Sequence, residues 1–185
     1  MNIEETHLKG CFVITPQVFK DERGYFFESF NKEAFEKVTG LSVNFVQDNE
    51  SKSSKGVLRG LHLQTGGFSQ AKLIRVTKGK VLDVCVDLRQ DSQTFGKYFS
   101  IVLDDVKKQQ VFIPKGFAHG FLVLEDDTVF TYKCDNFYKK EFEAGIIYND
   151  TTLSIDWNFP ENELIISEKD LQLPTFEAFC HSEQT

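Results

Sequence analysis

Val57-Leu58-Arg59-Gly60-Leu61-His62-Leu63-Gln64 is the stretch from which the rest of the chain is best read. It is short and mostly apolar, as a buried strand is, yet it carries an arginine and a histidine three positions apart. Side chains on a strand alternate between faces. Strict alternation puts Leu58, Gly60, His62 and Gln64 on one face and Arg59, Leu61 and Leu63 on the other. Gly60 inside the run marks a close backbone approach or a bulge. A histidine on the inner face of a sheet is partly desolvated, and there a base can be held and its pKa tuned. The same residue also reads as a core histidine bonded to backbone. The surrounding chain has to decide.

Upstream, residues 11 to 19 read as a strand broken at Pro16, hence an edge or an arm. Asp21-Glu22-Arg23-Gly24 is a polar turn before the aromatic strand Tyr25 to Phe30. Asn31 can cap a helix over Lys32 to Thr39, with Ala34, Phe35 and Val38 on one face and Gly40 at its end. Val43 to Gln47 reads as extended, and Ser51 to Gly56 as a polar loop. Downstream, Lys72 to Val76 is followed by a hairpin turn at Lys78-Gly79 and by Lys80 to Leu88. Further strands are expected at Tyr98 to Leu103, Gln109 to Ile113, Gly120 to Leu124 and Thr128 to Tyr132. Ser167-Glu168-Lys169-Asp170 has the pattern of a helix start. Many short strands between frequent turns predict an all-β antiparallel barrel or sandwich with a few short helices.

The 185 residues suit one domain with a substantial core. Nineteen phenylalanines favour strands. A formal net charge of -7 argues against a nucleic-acid partner. Cys11, Cys85, Cys134 and Cys180 lie far apart, which argues against a zinc knuckle and a disulfide framework. Met1-Asn2-Ile3-Glu4-Glu5 lacks the apolar core of a signal peptide, and no apolar run reaches membrane-spanning length. A cytoplasmic protein without a membrane partner is the expectation.

The chemistry that fits is acid–base. A metal-binding barrel of the cupin kind wants a second histidine two residues after His62, and that position is Gln64, a poor substitute for imidazole. No Gly-x-Ser-x-Gly and no phosphate-binding glycine loop is present. His62 is the candidate base, and a carboxylate on its other nitrogen would fix the tautomer. Asp83, Asp87 and Asp170 are candidates for that partner. Lys72 opens a buried strand, where an ammonium needs an anion, and would stabilise a developing oxyanion. Tyr132 could donate a proton from the opposite side, or be an ordinary strand tyrosine. Arg23, Arg59 and Lys169 could form a cationic patch for a phosphorylated ligand.

Six stretches, in order, resemble the dTDP-4-dehydrorhamnose 3,5-epimerase family, from about residue 3 to residue 178. They are Asp21 to Glu28, Phe45 to Asn49, Val57 to Gln64, Ala71 to Val76, Ile113 to Phe121 and Tyr148 to Asp150. The resemblance implies a cupin-type jelly roll spanning 1–185 as a single domain. N-terminal strands and a short helix would occupy 1–45, the jelly-roll core 46–145 and a C-terminal segment 146–185. It further implies a homodimer with exchanged N-terminal strands, and neither metal nor organic cofactor. The substrate would be dTDP-4-dehydro-6-deoxy-D-glucose, epimerised at C3 and C5 through enolates.

Carried over to this chain, the resemblance makes His62 the base and Asp170 its orienting partner. Lys72 stabilises the enolate oxygen, and Tyr132 delivers a proton to the opposite face. Arg23, Arg59 and Lys72 line the diphosphate and sugar region with His119 near by. Phe26, Glu28, Gln47, Asp48 and Asn49 meet the nucleotide, with Arg23 and Glu28 coming from the partner. Tyr138 stacks on the base, and Glu143 and Lys169 complete the pocket. Gly66-Gly67-Phe68-Ser69, Cys134, Phe137, Glu125-Asp126-Asp127 and the tail after Ala178 depart from the family pattern. They leave room for an epimerase of C3 alone or a keto-isomerase of another dTDP-hexulose. A silent nucleotide-sugar-binding cupin is the alternative from another class.

Overall fold

The computed structural model describes residues 1–182, so the last three residues of the predicted C-terminal segment lie outside the described residues. The strands are β1 (Asn2–Glu5), β2 (Phe12–Thr15), β3 (Phe19–Asp21), β4 (Gly24–Phe26), β5 (Gln47–Ser53), β6 (Val57–Gln64), β7 (Lys72–Lys78), β8 (Lys80–Asp87), β9 (Tyr98–Asp104), β10 (Gln110–Ile113), β11 (Phe117–Val123), β12 (Thr128–Cys134), β13 (Glu143–Gly145) and β14 (Ile165–Ile166). The helices are α1 (Lys32–Thr39), α2 (Glu168–Leu171) and α3 (Phe176–Ser182).

One sheet runs β1-β2-β10-β7-β12-β5 and a second β13-β6-β11-β8-β9, with β14 beside β6. Ile74, Val111 and Phe130 from the first sheet pack with Val81, Cys85 and Phe121 from the second in one core cluster. This is the mainly β, cupin-like jelly roll expected above. Burying each of these large side chains contributes roughly 1.5–3 kcal/mol.

Alternation on β8 and β11 is strict. Val84, Val86, Ala118 and Leu122 face outward and are coated by Ile146, Trp157 and Phe179 from the C-terminal segment. The outer face of the first sheet buries Phe12, Leu73 and Phe112 against Phe35 of α1. That helix forms as its sequence predicts. Asn31 Oδ1 accepts from the Ala34 N–H at 2.9 Å, and Gly40 adopts a left-handed φ of 70° at its end. Phe35 is buried, but Val38 is exposed, so the predicted apolar face is narrower than its sequence.

Two local readings are corrected. Ser51 to Ser53 belong to β5, not to a loop; Gln47, Asn49 and Ser51 of this polar strand line the cavity while Asp48, Glu50 and Lys52 between them are exposed. Of the aromatic run Tyr25 to Phe30, only the start is strand. Val43 to Val46 lead into β5, which begins at Gln47, and the Val46 N–H donates to the Cys134 carbonyl of β12 at 2.8 Å. In the N-terminal arm, β1 and β2 join the chain's own first sheet through β10. The free element is the β3–β4 hairpin, whose Phe19, Tyr25 and Phe26 are exposed.

Candidate active site

The centre of the site depends on a break in alternation. Between His119 and Phe121 the pairing of β11 with β6 slips by one residue, opposite Gly60 and Leu61. A bulge re-aims the side chains that follow it. Leu58, Leu61 and Leu63 therefore all pack into the outer cluster, while Arg59, His62 and Gln64 line the same inner cavity. The strict alternation expected from sequence, which separated Arg59 from His62, is corrected by this slip. Gly60 is required for it, since its φ is 118° and a Cβ there would meet Gly120 Cα at 2.6 Å.

The cavity has a volume of about 550 Å³ and opens between the two sheets. His62 comes from β6, His119 from β11, Lys72 from β7 and Tyr132 from β12. Asp170 arrives from outside the sheets on α2, whose start is set by Ser167 Oγ accepting the Asp170 N–H at 3.1 Å. The three carboxylates that sequence left open are sorted by geometry. Asp170 Oδ1 lies 2.8 Å from His62 Nε2, and its Oδ2 accepts the Gly60 N–H at 3.2 Å. Asp83 Oδ2 lies 2.8 Å from His119 Nε2. Asp87 instead accepts from Arg89, Ser92 and Thr94, a structural cluster away from the cavity.

Burial and pairing oppose one another at these groups. Burial pushes the Asp170 carboxyl up, but hydrogen bonding and charge at His62 and the Gly60 N–H outweigh it and hold the group below the ordinary carboxylate range. Burial dominates at the second pair, raising Asp83 and lowering His119. Burial also lowers Lys72, against the pull of Cys134, Asp83 and Glu143. No ion pair within 4.0 Å involves Lys72 among the described residues, and its side chain lines the cavity with Asp83 and Glu143 acting on it from farther away. Tyr132 is raised by burial and stays a phenol at neutral pH.

At the mouth, Glu143 Oε2 accepts from Tyr138 OH at 2.7 Å and from Lys169 Nζ at 2.6 Å. The hydrogen bond to Glu143 pushes the Tyr138 phenol up to about 12. Gln47 Oε1 accepts the Tyr138 N–H at 3.1 Å, and Gln47 Nε2 donates to Asn49 Oδ1 at 3.1 Å. Gln64 Oε1 accepts the Lys139 N–H at 2.7 Å, so this amide braces the loop carrying Tyr138.

Of the predicted residues, His62, Lys72, Tyr132, Asp170, Gln47, Asn49, Arg59, His119, Tyr138, Glu143 and Lys169 line this one cavity. Asp48 does not. It alternates with Gln47 and Asn49 onto the outer face of β5, where its carboxylate accepts from Lys133 Nζ at 2.9 Å. Arg23, Phe26 and Glu28 lie on or just after the β3–β4 hairpin, exposed and outside their own chain's cavity. Arg23 pairs there with Asp21. Phe121 and Phe130 line the cavity and were not picked out from sequence, although each is two positions from a predicted residue on the same strand face.

Comparison with known proteins identifies the family. The family model described as dTDP-4-dehydrorhamnose 3,5-epimerase matches residues 5–178. The Escherichia coli protein of that name is 51% identical over 178 residues, covering 96% of this chain and 95% of its own. The crystal structure of the Elizabethkingia anophelis dTDP-4-dehydrorhamnose 3,5-epimerase superposes with a TM-score of 0.93 at 55% identity, covering 96% of this chain and 97% of that one. A Legionella pneumophila epimerase in complex with dTDP-4-keto-L-rhamnose gives 0.91 at 44% identity, covering 95% and 93%. No helix among the described residues is long and apolar enough to cross a membrane. On the extent of these matches, the chain belongs to the dTDP-4-dehydrorhamnose 3,5-epimerase family, a family of isomerases.

Proposed function

We propose that this chain epimerises dTDP-4-dehydro-6-deoxy-D-glucose at C3 and C5, giving dTDP-4-dehydro-L-rhamnose without a metal or organic cofactor. The observation that carries the reading is the His62–Asp170 pair facing Lys72 and Tyr132 in one cavity. Both reacting carbons are α to the C4 ketone, so each C–H becomes acidic once the enolate is stabilised. His62 takes the proton on the ring nitrogen not bonded to Asp170, and the anionic Asp170 stabilises the imidazolium that forms. The buried Lys72 ammonium sits against the developing enolate oxygen in a site of low dielectric. Tyr132, held as a phenol, returns a proton to the opposite face.

Tyr138, steered by Glu143 and Gln47, offers a ring for the thymine. Arg59 and Lys169 neutralise the diphosphate. Arg23 and Glu28 reach the pocket of a second copy through the exposed aromatic β3–β4 hairpin, which makes the working unit a homodimer. Exposed aromatic side chains on a two-stranded hairpin favour such docking, since an isolated hairpin is marginal in water. Four cysteines left as free thiols suit a reducing cytoplasm.

Proton NMR of the proposed substrate in deuterated water tests the reading. Solvent deuterium should enter at both C3 and C5, and a coupled 4-ketoreductase should trap the L-rhamnose configuration. Exchange at C3 alone would make the enzyme a monoepimerase. No exchange at either carbon would remove the proposal.

A further inference from the structure

The cavity wall mixes polar and apolar surface, and part of the apolar surface is a pair of rings that the mechanism above does not use. Phe121 of β11 and Phe130 of β12 reach the interior from opposite sheets and stack with their centroids 4.1 Å apart and planes 15° from parallel. They are 6% and 1% exposed, so the pair is rigidly packed, yet both contribute to the cavity surface. Leu63 and Gly120 are the other apolar residues on that wall, and the Leu63 side chain packs into the outer cluster. The Phe130 ring is also 6.0 Å from Tyr132, the proposed proton donor. The two phenyl rings thus form an apolar surface next to the proposed proton donor.

We infer that the Phe121–Phe130 pair is the subsite for the C6 methyl group and sets a preference for 6-deoxy sugars. This rests on the dTDP-hexulose reading above. C6 is carried by C5, a reacting carbon that must lie between His62 and Tyr132. In a 6-deoxy sugar it is also the one exocyclic group without an oxygen. A methyl on the phenyl pair loses no hydrogen bond and buries apolar surface on both sides. A C6 hydroxyl would have to leave water for ring faces that offer no donor or acceptor of their own. Apolar pockets reject an added hydroxyl only moderately, so discrimination on the order of 10-fold to 100-fold is expected.

Titration calorimetry with dTDP-6-deoxy-D-glucose and dTDP-D-glucose tests this. Both lack the C4 ketone, so neither is turned over, and they differ only at C6. The wild-type protein should bind the 6-deoxy compound at least 10-fold more tightly. Phe121→Leu and Phe130→Leu, each checked for a cooperative melt, should narrow that preference to a few-fold while the affinity for dTDP alone is kept. Equal wild-type affinity for the two sugars overturns the subsite and leaves the epimerase reading standing. A preference undiminished in a folded leucine variant also overturns it. Binding of neither sugar removes the underlying reading, and the subsite with it.

Discussion

His62 and His119 are cross-strand partners on β6 and β11, and each places Nε2 2.8 Å from an aspartate, His62 from Asp170 and His119 from Asp83. The two pairs are chemically different because their surroundings differ. His119 and Asp83 are 7% and 2% exposed, and burial pushes both towards their neutral forms. The His62 side chain is 29% exposed, and its partner Asp170 is held as an anion. In the His62–Asp170 pair an added proton has an anion beside it, whereas in the buried His119–Asp83 pair it would strand a charge. His62 is therefore the proposed base, and His119 a fixed hydrogen-bonding wall.

Asp170→Asn should lower kcat by on the order of 10²-fold or more with little change in KM, because the imidazolium loses its counter-charge while the pocket keeps its shape. The same substitution reports on stability. The folded Asp170 carboxyl lies below its unfolded value, so its contribution is fully present above the ordinary carboxylate range and is lost as pH falls through the lowered value. Urea unfolding followed from neutral pH downward should show a shallower acid decline in Asp170→Asn than in wild type. An unchanged kcat would remove Asp170 from the mechanism.

Lys72 must carry its proton to face an enolate, and burial lowers its pKa. Activity should therefore fall on the alkaline side at a pH below the ordinary lysine range. Lys72→Arg keeps a cation that does not titrate there, so its rate should be lower but its alkaline limb should move up or vanish. A pH profile of kcat/KM for both proteins decides. An identical limb in the arginine variant assigns the titration to another group.

Gly60→Ala should be severe for a residue without a functional side chain. The added Cβ would meet Gly120 Cα at 2.6 Å and the His119 carbonyl at 2.8 Å, on a backbone with φ of 118°. A loss of about 2–3 kcal/mol in thermal or urea unfolding is expected from strain and overpacking together. Activity should fall further than stability alone explains, since the Gly60 N–H also holds Asp170. A variant as stable and active as wild type would show that the bulge is not needed.

Arg23 lies outside its own chain's cavity, so the dimer reading predicts complementation. Arg23→Ala and His62→Ala homodimers should each be nearly inactive. Mixing unfolded chains of the two and refolding should restore one intact site in each mixed dimer. Activity that stays at the level of the separate variants would place Arg23 outside the partner's site. Size-exclusion chromatography with light scattering on Phe26→Ser tests the same contact, with a shift to monomer expected.

Much of this protein is legible in its sequence because local chemistry determines it. The Asn31 cap and Gly40 stop fix α1, and Lys78-Gly79 turns β7 into β8. The apolar runs of β8 and β11 mark strands buried on both faces, although β11 begins at Phe117 and not at Gly120. The histidine, lysine and tyrosine of the site stand out as polar groups in strands that otherwise bury apolar ones. What sequence could not supply is any relation set by distant packing. The slip opposite Gly60, which turns Arg59 and His62 to one side, depends on contact with Gly120 on another strand. β5 looks like a loop because its pattern is polar on both faces, and only the cavity on one side and Lys133 on the other explain why. Asp48, between two residues that do line the cavity, is sent to the outer face by a two-residue period that a motif does not reveal. Residue chemistry alone left Asp83, Asp87 and Asp170 open because all three are aspartates in plausible settings, and only the family resemblance singled out Asp170. The physical reason is tertiary: the chain brings Asp170 back across more than a hundred residues to His62, a distance in sequence over which no local rule of propensity or spacing acts.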